Sequence, residues 1–424
     1  MRYEIKVGKP LANGFRYYSQ YDPSNSANLA GIAVKAGSIH SPPNLVGLPH
    51  LVEHVVARES LKYDRKKVEL MTLAQGGPDG DINIRIDRIS TFYGFESFLK
   101  RKNMLIYFDM LAHLVHDNIV SREGVDIEKA AVKNEYFLRE QDYMPGLLDS
   151  LVHEAMYAEN PARLRIDCTL DSLKKISAQH VRRFIKKYYT ASNMFAIFMG
   201  PSFENAKELT QRYFADLPKL AAPILNHNKL DDYPTLKNIK SLDITRDIGQ
   251  YYLAIAFPTE PNKDNETEAI QILADILSLR LYMRLRENNR NPEAGTYRTP
   301  VEISRSHIHG IIYPWFATIS KDYSLFGESI ILKELARLCN ELVDGIELEA
   351  ARKSLDNKYL DAFKNTPAIL TEMVIESVCS GDTDLTNLHS FRNRLYKVTR
   401  RKLRDIANKY FNNKSYLRVT IGPN

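Results

Sequence analysis

Two histidines and a glutamate lie within one five-residue stretch of the 424-residue chain, His50-Leu51-Val52-Glu53-His54. On an α-helix, positions i, i+3 and i+4 share one face, so the three polar side chains would project in the same direction. Two neutral imidazoles one turn apart can bind a single zinc ion, and the carboxylate of Glu53 would then lie beside the metal without being a ligand. The stretch therefore predicts a zinc site on a helix.

A catalytic zinc site needs a third protein ligand and an open position for water. A helical stretch downstream, 125–137, contains Glu128 and Glu135. The two are seven positions apart, so they share a helix face two turns apart. We predict that Glu135 is the third ligand and that Glu128 supports the site from outside the ligand set.

The remaining histidines are weaker candidates. His113 and His116 lie three apart on an apolar helical stretch, and we interpret them as packing or surface residues. His307 and His309 alternate on a predicted strand with no identifiable acidic partner. A single histidine on a helix is more often a packing or surface residue than a metal ligand, so only the first cluster is assigned a metal.

The elements that must position these residues belong to a duplicated chain. Residues 175–201 match residues 397–423 at a constant offset without gaps, and both copies read as helix, polar turn and strand. We predict an α+β fold of two homologous α/β sandwich domains, residues 1–217 and 241–424, with a proline-containing linker at 218–240. The alternative is that two unrelated α/β units share a helix–strand ending.

Composition narrows the function further. Hydrophobic residues make up 44% of the chain, and 58 basic residues against 52 acidic ones leave a net charge of only +6, so nucleic acid is not an expected partner. Three widely spaced cysteines form no CxxC pair, which argues against a disulfide framework. No signal peptide or membrane span is evident, and we expect a cytoplasmic protein.

With its inverted HxxEH motif, its Glu128/Glu135 pair and its two similar halves, the chain resembles the pitrilysin, insulysin and mitochondrial processing peptidase family of zinc peptidases. Its length resembles the short branch, in which one chain is half of a clamshell. The resemblance implies that Zn²⁺ is the cofactor, that His50, His54 and Glu135 are its ligands, and that Glu53 is the general base. Glu128 corresponds to an acidic helper residue of the family.

The resemblance also implies an arginine and a tyrosine from the second domain. Tyr297 is the matching tyrosine, and both Arg286, which has the better helix context, and Arg290, which has the family's seven-residue spacing, remain candidates for the arginine. Two stretches depart from the family: the flank after HxxEH, 55–59, and the substrate-pairing strand near 80–87. The second half has no HxxEH near Leu273, so only the first half is expected to bind metal.

Together these features predict a zinc-dependent metalloendopeptidase that hydrolyses peptides or unfolded segments enclosed in a dimeric chamber. The dimer would be a homodimer or a heterodimer with a related subunit, and an exposed strand near 82–89 would pair with the peptide backbone. The main alternative is a non-catalytic structural or docking subunit of a heterodimeric peptidase of this family. A zinc hydrolase acting on other substrates is a third reading, although no phosphate-binding loop or GxSxG elbow is present.

Overall fold

The computed structural model describes residues 4–74, 82–97, 101–142, 144–221, 223, 234, 236–261, 266–287, 295–411 and 414–423. The strands are β1 (Lys6–Val7), β2 (Arg16–Gln20), β3 (Asn28–Val34), β4 (Ile82–Ile86), β5 (Thr91–Ser97), β6 (Met194–Met199), β7 (Lys240–Thr245), β8 (Tyr251–Pro258), β9 (Val301–Arg305), β10 (Gly310–Thr318) and β11 (Leu417–Gly422). They form two separate sheets.

The helices connect and cover these strands. They are α1 (Leu48–Val56), α2 (Arg65–Ala74), α3 (Arg101–His116), α4 (Arg122–Asp142), α5 (Met144–Met156), α6 (Leu170–Lys175), α7 (Ala178–Tyr188), α8 (Ala206–Phe214), α9 (Thr267–Tyr282), α10 (Lys321–Asn340), α11 (Gly345–Lys364), α12 (Pro367–Cys379), α13 (Thr386–Leu395) and α14 (Arg400–Tyr410). Among the described residues, no helix is both long and apolar enough to cross a membrane.

The first sheet has six strands in the order β1-β2-β6-β3-β5-β4. Its central strands β3 and β6 are buried along their whole length, as near-continuous apolar runs predict for strands covered on both faces. Helix α3 contacts β3 and β5, and α1 contacts α7. A core rich in aromatic side chains, including Phe108 and Phe198, joins these helices to the sheet.

The second described sheet has five strands, in the order β7-β11-β8-β10-β9, which repeats the order of the first sheet from β2 onward. In each sheet one pair is parallel, β2 with β6 and β7 with β11, and the strands that follow are antiparallel. The repeated helix and strand of the sequence are α7 and β6 in one half and α14 and β11 in the other. The predicted fold class, a two-domain α+β protein, is confirmed.

Alternating side chains of β8 and β10 serve two different cores, because successive residues of a strand point to opposite faces. Leu253, Ile255 and Phe257 pack with α9 and α10. Ala254 and Ala256 pack instead with residues of α5. Helices therefore cover both faces of the second sheet.

Each compact unit is assembled from three segments. The first contains Met1–Phe137, Leu164–Asn226 and Tyr359–His389, and the second contains Leu138–Arg163, His227–Lys358 and Ser390–Asn424. Much of the predicted linker 218–240 lies outside the described residues, and the predicted boundaries 1–217 and 241–424 stay a prediction.

One local expectation is wrong. His307 and His309 do not lie on a strand, because β9 ends at Arg305 and β10 begins at Gly310. The Ser306 N–H donates to the carbonyl of His309 and closes the turn between the two strands. The two histidines therefore lie in the hairpin turn that joins β9 to β10.

Candidate metal centre

The helix that carries His50 and His54 begins abruptly after Gly47. This glycine has a φ of 77°, in the left-handed region, and a Cβ atom there would lie 2.3 Å from the backbone nitrogen of Cys168. Pro49 occupies the first turn, where a missing N–H costs little. Glycine and proline together fix where α1 starts and hence which of its faces carries the histidines.

Apolar side chains anchor the opposite face of α1. Leu51, Val52 and Val55 are buried in the core of the first unit. With that face packed, helical periodicity directs His50 and His54 to one side, where their rings lie 5.0 Å apart between centroids. The predicted convergence of the two imidazoles is what the structure shows.

Glu135 on α4 reaches both imidazoles. Its Oε2 atom lies 3.3 Å from Nε2 of His50 and 3.4 Å from Nε2 of His54. With zinc–ligand bonds of about 2.1 Å and tetrahedral angles, two ligand atoms of one zinc ion lie about 3.4 Å apart. One ligand atom from each of the three residues falls within 4.8 Å of the others. The donor set and its spacing therefore fit a zinc ion.

Glu53 lies next to this cluster without joining it. Its Oε2 atom is 3.8 Å from Nε2 of His50, and the residue is buried.

Two tyrosines that could not be found from the sequence lie close enough to Glu53 to feel its charge. The hydroxyls of Tyr93 and Tyr189 share a hydrogen bond of 2.7 Å. Burial first, and also the negative charge of Glu53, raise the pKa of both tyrosines, so both hydroxyls stay protonated.

Glu128 supports His54 from the side opposite to Glu135. Its Oε2 atom lies 3.2 Å from Nδ1 of His54, and its Oε1 atom accepts a 2.6 Å hydrogen bond from Arg58. Burial alone would raise the pKa of Glu128, but the hydrogen bonds with His54 and Arg58 outweigh it and hold that pKa below its usual range. Arg58 belongs to the flank that departs from the family pattern.

Asp167 gives His50 a corresponding neighbour that the sequence did not reveal. Its Oδ1 atom lies 3.3 Å from Nδ1 of His50, although the alignment is too poor for a regular hydrogen bond, so the contact is mainly electrostatic. Asp167 lies outside the helices and strands, far from His50 along the chain. No spacing rule links it to HxxEH, which is why it was missed.

The carboxylates around His54 make this position attractive to cations. Burial lowers the pKa of His54, but the hydrogen bonds with Glu128 and Glu135 and the charge of Glu53 together raise it to about 10. A metal ion and a proton compete for the same imidazole nitrogen. The field that favours the proton therefore also favours a divalent cation.

In the second unit, Arg286 and Tyr297 contact each other. Arg286 lies in a short π-helical segment, Met283–Glu287, and its Nη1 atom donates a 2.7 Å hydrogen bond to the carbonyl of Tyr297. Its guanidinium also lies over the rings of Tyr282, at 5.2 Å, and Tyr297, at 5.4 Å. Tyr297 is 82% exposed.

Arg290, the other candidate for the partner of Tyr297, lies outside the described residues. The contact between Arg286 and Tyr297 favours Arg286, the residue with the better helix context. The roles of all three residues stay predictions.

Comparison with known proteins assigns the family. The model of the insulinase family, peptidase family M16, matches residues 16–170, and the model of the M16 inactive domain matches residues 175–355. Together they span well over half of the chain. The chain belongs to the M16 peptidase family. This assignment confirms the predicted resemblance to the pitrilysin, insulysin and mitochondrial processing peptidase family.

Several M16 relatives are subunits of mitochondrial-processing peptidase. The human alpha subunit is 26% identical over 258 residues, which are 60% of this chain and 45% of the relative. The probable alpha subunit of Schizosaccharomyces pombe is 23% identical and matches 84% of this chain and 72% of its own length. The first of these alignments thus spans less than half of the relative.

Solved M16 structures share the fold. A protease from Helicobacter pylori superposes with a TM-score of 0.86 at 15% identity, over 99% of this chain and all of that one. The M16 inactive domain from Pseudomonas fluorescens gives 0.84 at 16% identity, over 99% and 98% of the two chains. At such low identities the likeness establishes the fold alone.

Proposed function

We propose that this M16 family member is a zinc-dependent metalloendopeptidase. The observation that carries the proposal is the position of the Glu135 carboxylate, 3.3 and 3.4 Å from the Nε2 atoms of His50 and His54. These three residues would hold the zinc. The chemistry that zinc supplies in such sites is Lewis-acid activation of water and of a carbonyl group.

Glu53 would move the proton in this reaction. Its carboxylate would accept a proton from the attacking water as the new carbon–oxygen bond forms, and would pass that proton to the amine nitrogen as the carbon–nitrogen bond breaks. Burial keeps this carboxylate out of bulk water and close to His50. The hydroxyls of Tyr93 and Tyr189 would add fixed dipoles beside it.

The neighbouring carboxylates would orient the ligands. Glu128 contacts Nδ1 of His54 and Asp167 lies close to Nδ1 of His50, so each Nε2 atom is left to face Glu135. A carboxylate on the far nitrogen of an imidazole fixes its tautomer and makes it a better ligand. Arg58 in turn holds Glu128 in place.

The substrate would bind in an extended form. Strand β4 lies at the end of the described six-stranded sheet, next to β5, and would add a peptide strand by backbone pairing. Arg286 and Tyr297 would donate hydrogen bonds to the oxygen that develops negative charge. In this proposal they come from a second subunit, either another copy of this chain or a related one, since several relatives are named as subunits.

A non-catalytic subunit is the second candidate. Matches to alpha subunits of mitochondrial-processing peptidase and to a domain described as inactive favour it. Its weakness is chemical, because a docking subunit has no use for two histidines that converge on Glu135 with a buried glutamate beside them. The two candidates differ in whether the chain itself hydrolyses peptides when zinc is present.

The deciding experiment is mass-spectrometric mapping of cuts in a peptide mixture incubated with the purified, zinc-loaded chain. We expect internal cuts that stop on chelation and return with zinc. Glu53→Gln should abolish them while zinc content is retained, and Glu123→Gln, an exposed glutamate on α4, should have no effect. Cleavage by Glu53→Gln at the wild-type rate would exclude the proposed base. Bound zinc without cleavage, also after mixing with a related subunit, would exclude the endopeptidase.

A further inference from the structure

We propose that His113, His116 and Asp117 form a second binding site for a divalent metal ion of the zinc type. These residues, which we name the α3 cluster, lie at the carboxyl end of α3, which ends at His116. The sequence alone favours packing or surface roles for the two histidines. The structure instead joins them through one carboxylate.

The three side chains converge on Asp117. Its Oδ2 atom lies 2.7 Å from Nδ1 of His113, and its Oδ1 atom lies 2.8 Å from Nδ1 of His116. One ligand atom from each residue falls within 4.8 Å of the other two. Ligands of one zinc ion lie about 3.4 Å apart, so each contact would open by less than about 1 Å, which side-chain rotation allows.

The spacing of the cluster resembles that of the first site. His113, His116 and Asp117 occupy positions i, i+3 and i+4, as do His50, Glu53 and His54. In the α3 cluster, however, all three donors come from one short stretch, and no residue from another helix is required. Such a site offers three ligands and leaves further positions to water.

The surroundings of the α3 cluster suit a cation. The side chains of His113, His116 and Asp117 are 21%, 12% and 34% exposed, so an ion can enter from solvent. The carboxyl end of a helix carries partial negative charge that favours cations. On the inner side the ring of Tyr213 faces His113 and that of Phe214 faces His116.

The donor types select the class of metal. Two imidazoles and one carboxylate suit Zn²⁺, Cu²⁺ or Ni²⁺, whereas Mg²⁺ and Ca²⁺ prefer oxygen ligands alone. We assign the α3 cluster to Zn²⁺. Other divalent metals can serve as probes of the same donors.

Zinc at the α3 cluster would strengthen a junction in the first unit. The carbonyl of Asp117 accepts a hydrogen bond from the N–H of Leu61, and the N–H of Ile119 donates to the carbonyl of Glu59. The segment that follows α3 is thus paired with the segment that follows α1. An ion that binds the folded cluster should stabilise this junction by mass action.

The test counts metal ions in a chain that lacks the first site. Titration of the full-length His50→Ala/His54→Ala variant with Co²⁺, followed by visible absorption, should show one bound ion per chain, displaced by Zn²⁺. Adding His113→Ala and His116→Ala should remove that ion. Adding His180→Ala and His389→Ala, at two other half-exposed histidines, should leave it in place.

A parallel titration of the wild-type chain keeps the test valid if the first-site variant does not fold. The wild type should bind two ions, and His113→Gln/Asp117→Asn should bind one while peptide cleavage continues. An unchanged ion count in the α3-cluster variants would overturn the proposal. Substitution of His50 and His54 alone should abolish cleavage but leave the ion at the α3 cluster. Failure of the proposed peptidase function can therefore be distinguished from failure of the proposed second metal site.

Discussion

The Nδ1 atom of His54 lies 3.2 Å from a carboxylate oxygen of Glu128. Because that carboxylate is ionised, it holds the proton on Nδ1, so Nε2, which faces Glu135, is the nitrogen that would release its proton to bind zinc. One contact therefore determines the tautomer that a zinc ligand needs. It also gives Glu128 a definite role, that of a positioning residue that acts through His54.

Glu128→Gln should weaken zinc binding without abolishing it. Glutamine keeps the size of the side chain but loses the charge that raises the basicity of His54, and replacing such a partner costs about 10- to 100-fold in metal affinity. Competition with a chromogenic chelator measures this change, with Glu123→Gln as the control on the same helix. Affinity equal to that of the wild type would show that Glu128 does not act through His54.

Asp167→Asn should produce a smaller effect of the same kind. The contact with His50 is 3.3 Å but poorly aligned, so we expect a loss near the lower end, about 10-fold. Asp171→Asn is the matched control, since Asp171 is exposed and contacts only Lys174 at 3.8 Å in the ion pairs described. A loss as large as that of Glu128→Gln would mean that Asp167 is a stronger partner in solution than this geometry implies.

Mixing two inactive variants should restore activity if Tyr297 acts in the partner subunit. In a mixed dimer of Glu53→Gln and Tyr297→Phe chains, one site has neither group and the other has both. Random pairing of equal amounts makes half of the dimers mixed, so about one quarter of wild-type activity is expected. Peptide cleavage after joint refolding measures it. Activity no higher than that of the separate variants would place both groups in the same chain.

Glu347→Gln should lower the stability of the second unit in a pH-dependent manner. Glu347 accepts two 2.7 Å hydrogen bonds from Arg280. These bonds lower the pKa of Glu347 more than burial raises it, so the pKa lies below its usual range. The folded pKa is therefore below the unfolded value of about 4.3. The stabilisation is complete above that value and is lost as the pH falls through the folded pKa.

We expect Glu347→Gln to cost about 1.5 kcal/mol of unfolding free energy at pH 7, and less as the pH falls below about 5. Trp315, the single tryptophan and a buried residue of β10, reports on this unit by its fluorescence during urea unfolding. Glu349→Gln is the control, because the side chain of Glu349 is 47% exposed and its ion pairs with Arg352 and Lys353 are long, at 3.6 and 3.9 Å. A difference that is the same at pH 3.5 and at pH 7 would contradict the linkage.

Much of the centre could be predicted because its geometry is local. Helix periodicity alone places His50 beside His54 and puts Glu128 on the same helix face as Glu135, two turns away, and the resemblance joins the two pairs. Asp167 and Tyr93 could not be found, because they reach the site from a loop and from strand β5 through tertiary packing. Asp117 was overlooked for another reason, since it follows directly on α3 and no pattern assigned it a function.

The duplication of the fold could be predicted from the sequence, but the assignment of every helix to its unit could not. A constant offset between α7 and α14 revealed the duplication, and the two sheets repeat one strand order. The sequence does not show that α5 belongs to the second compact unit and α12 to the first. An apolar helix face indicates that a helix is buried but not which sheet it packs against. The assignment of α5 and α12 to their units could therefore be made only from the structure.

The most direct test of the zinc centre is anomalous diffraction at the zinc absorption edge from crystals of the Glu53→Gln chain grown with zinc. The proposed centre predicts a strong peak at bonding distance, about 2.1 Å, from the Nε2 atoms of His50 and His54 and from the carboxylate of Glu135. A map in which zinc is absent from these three side chains, or binds them without Glu135, would contradict it.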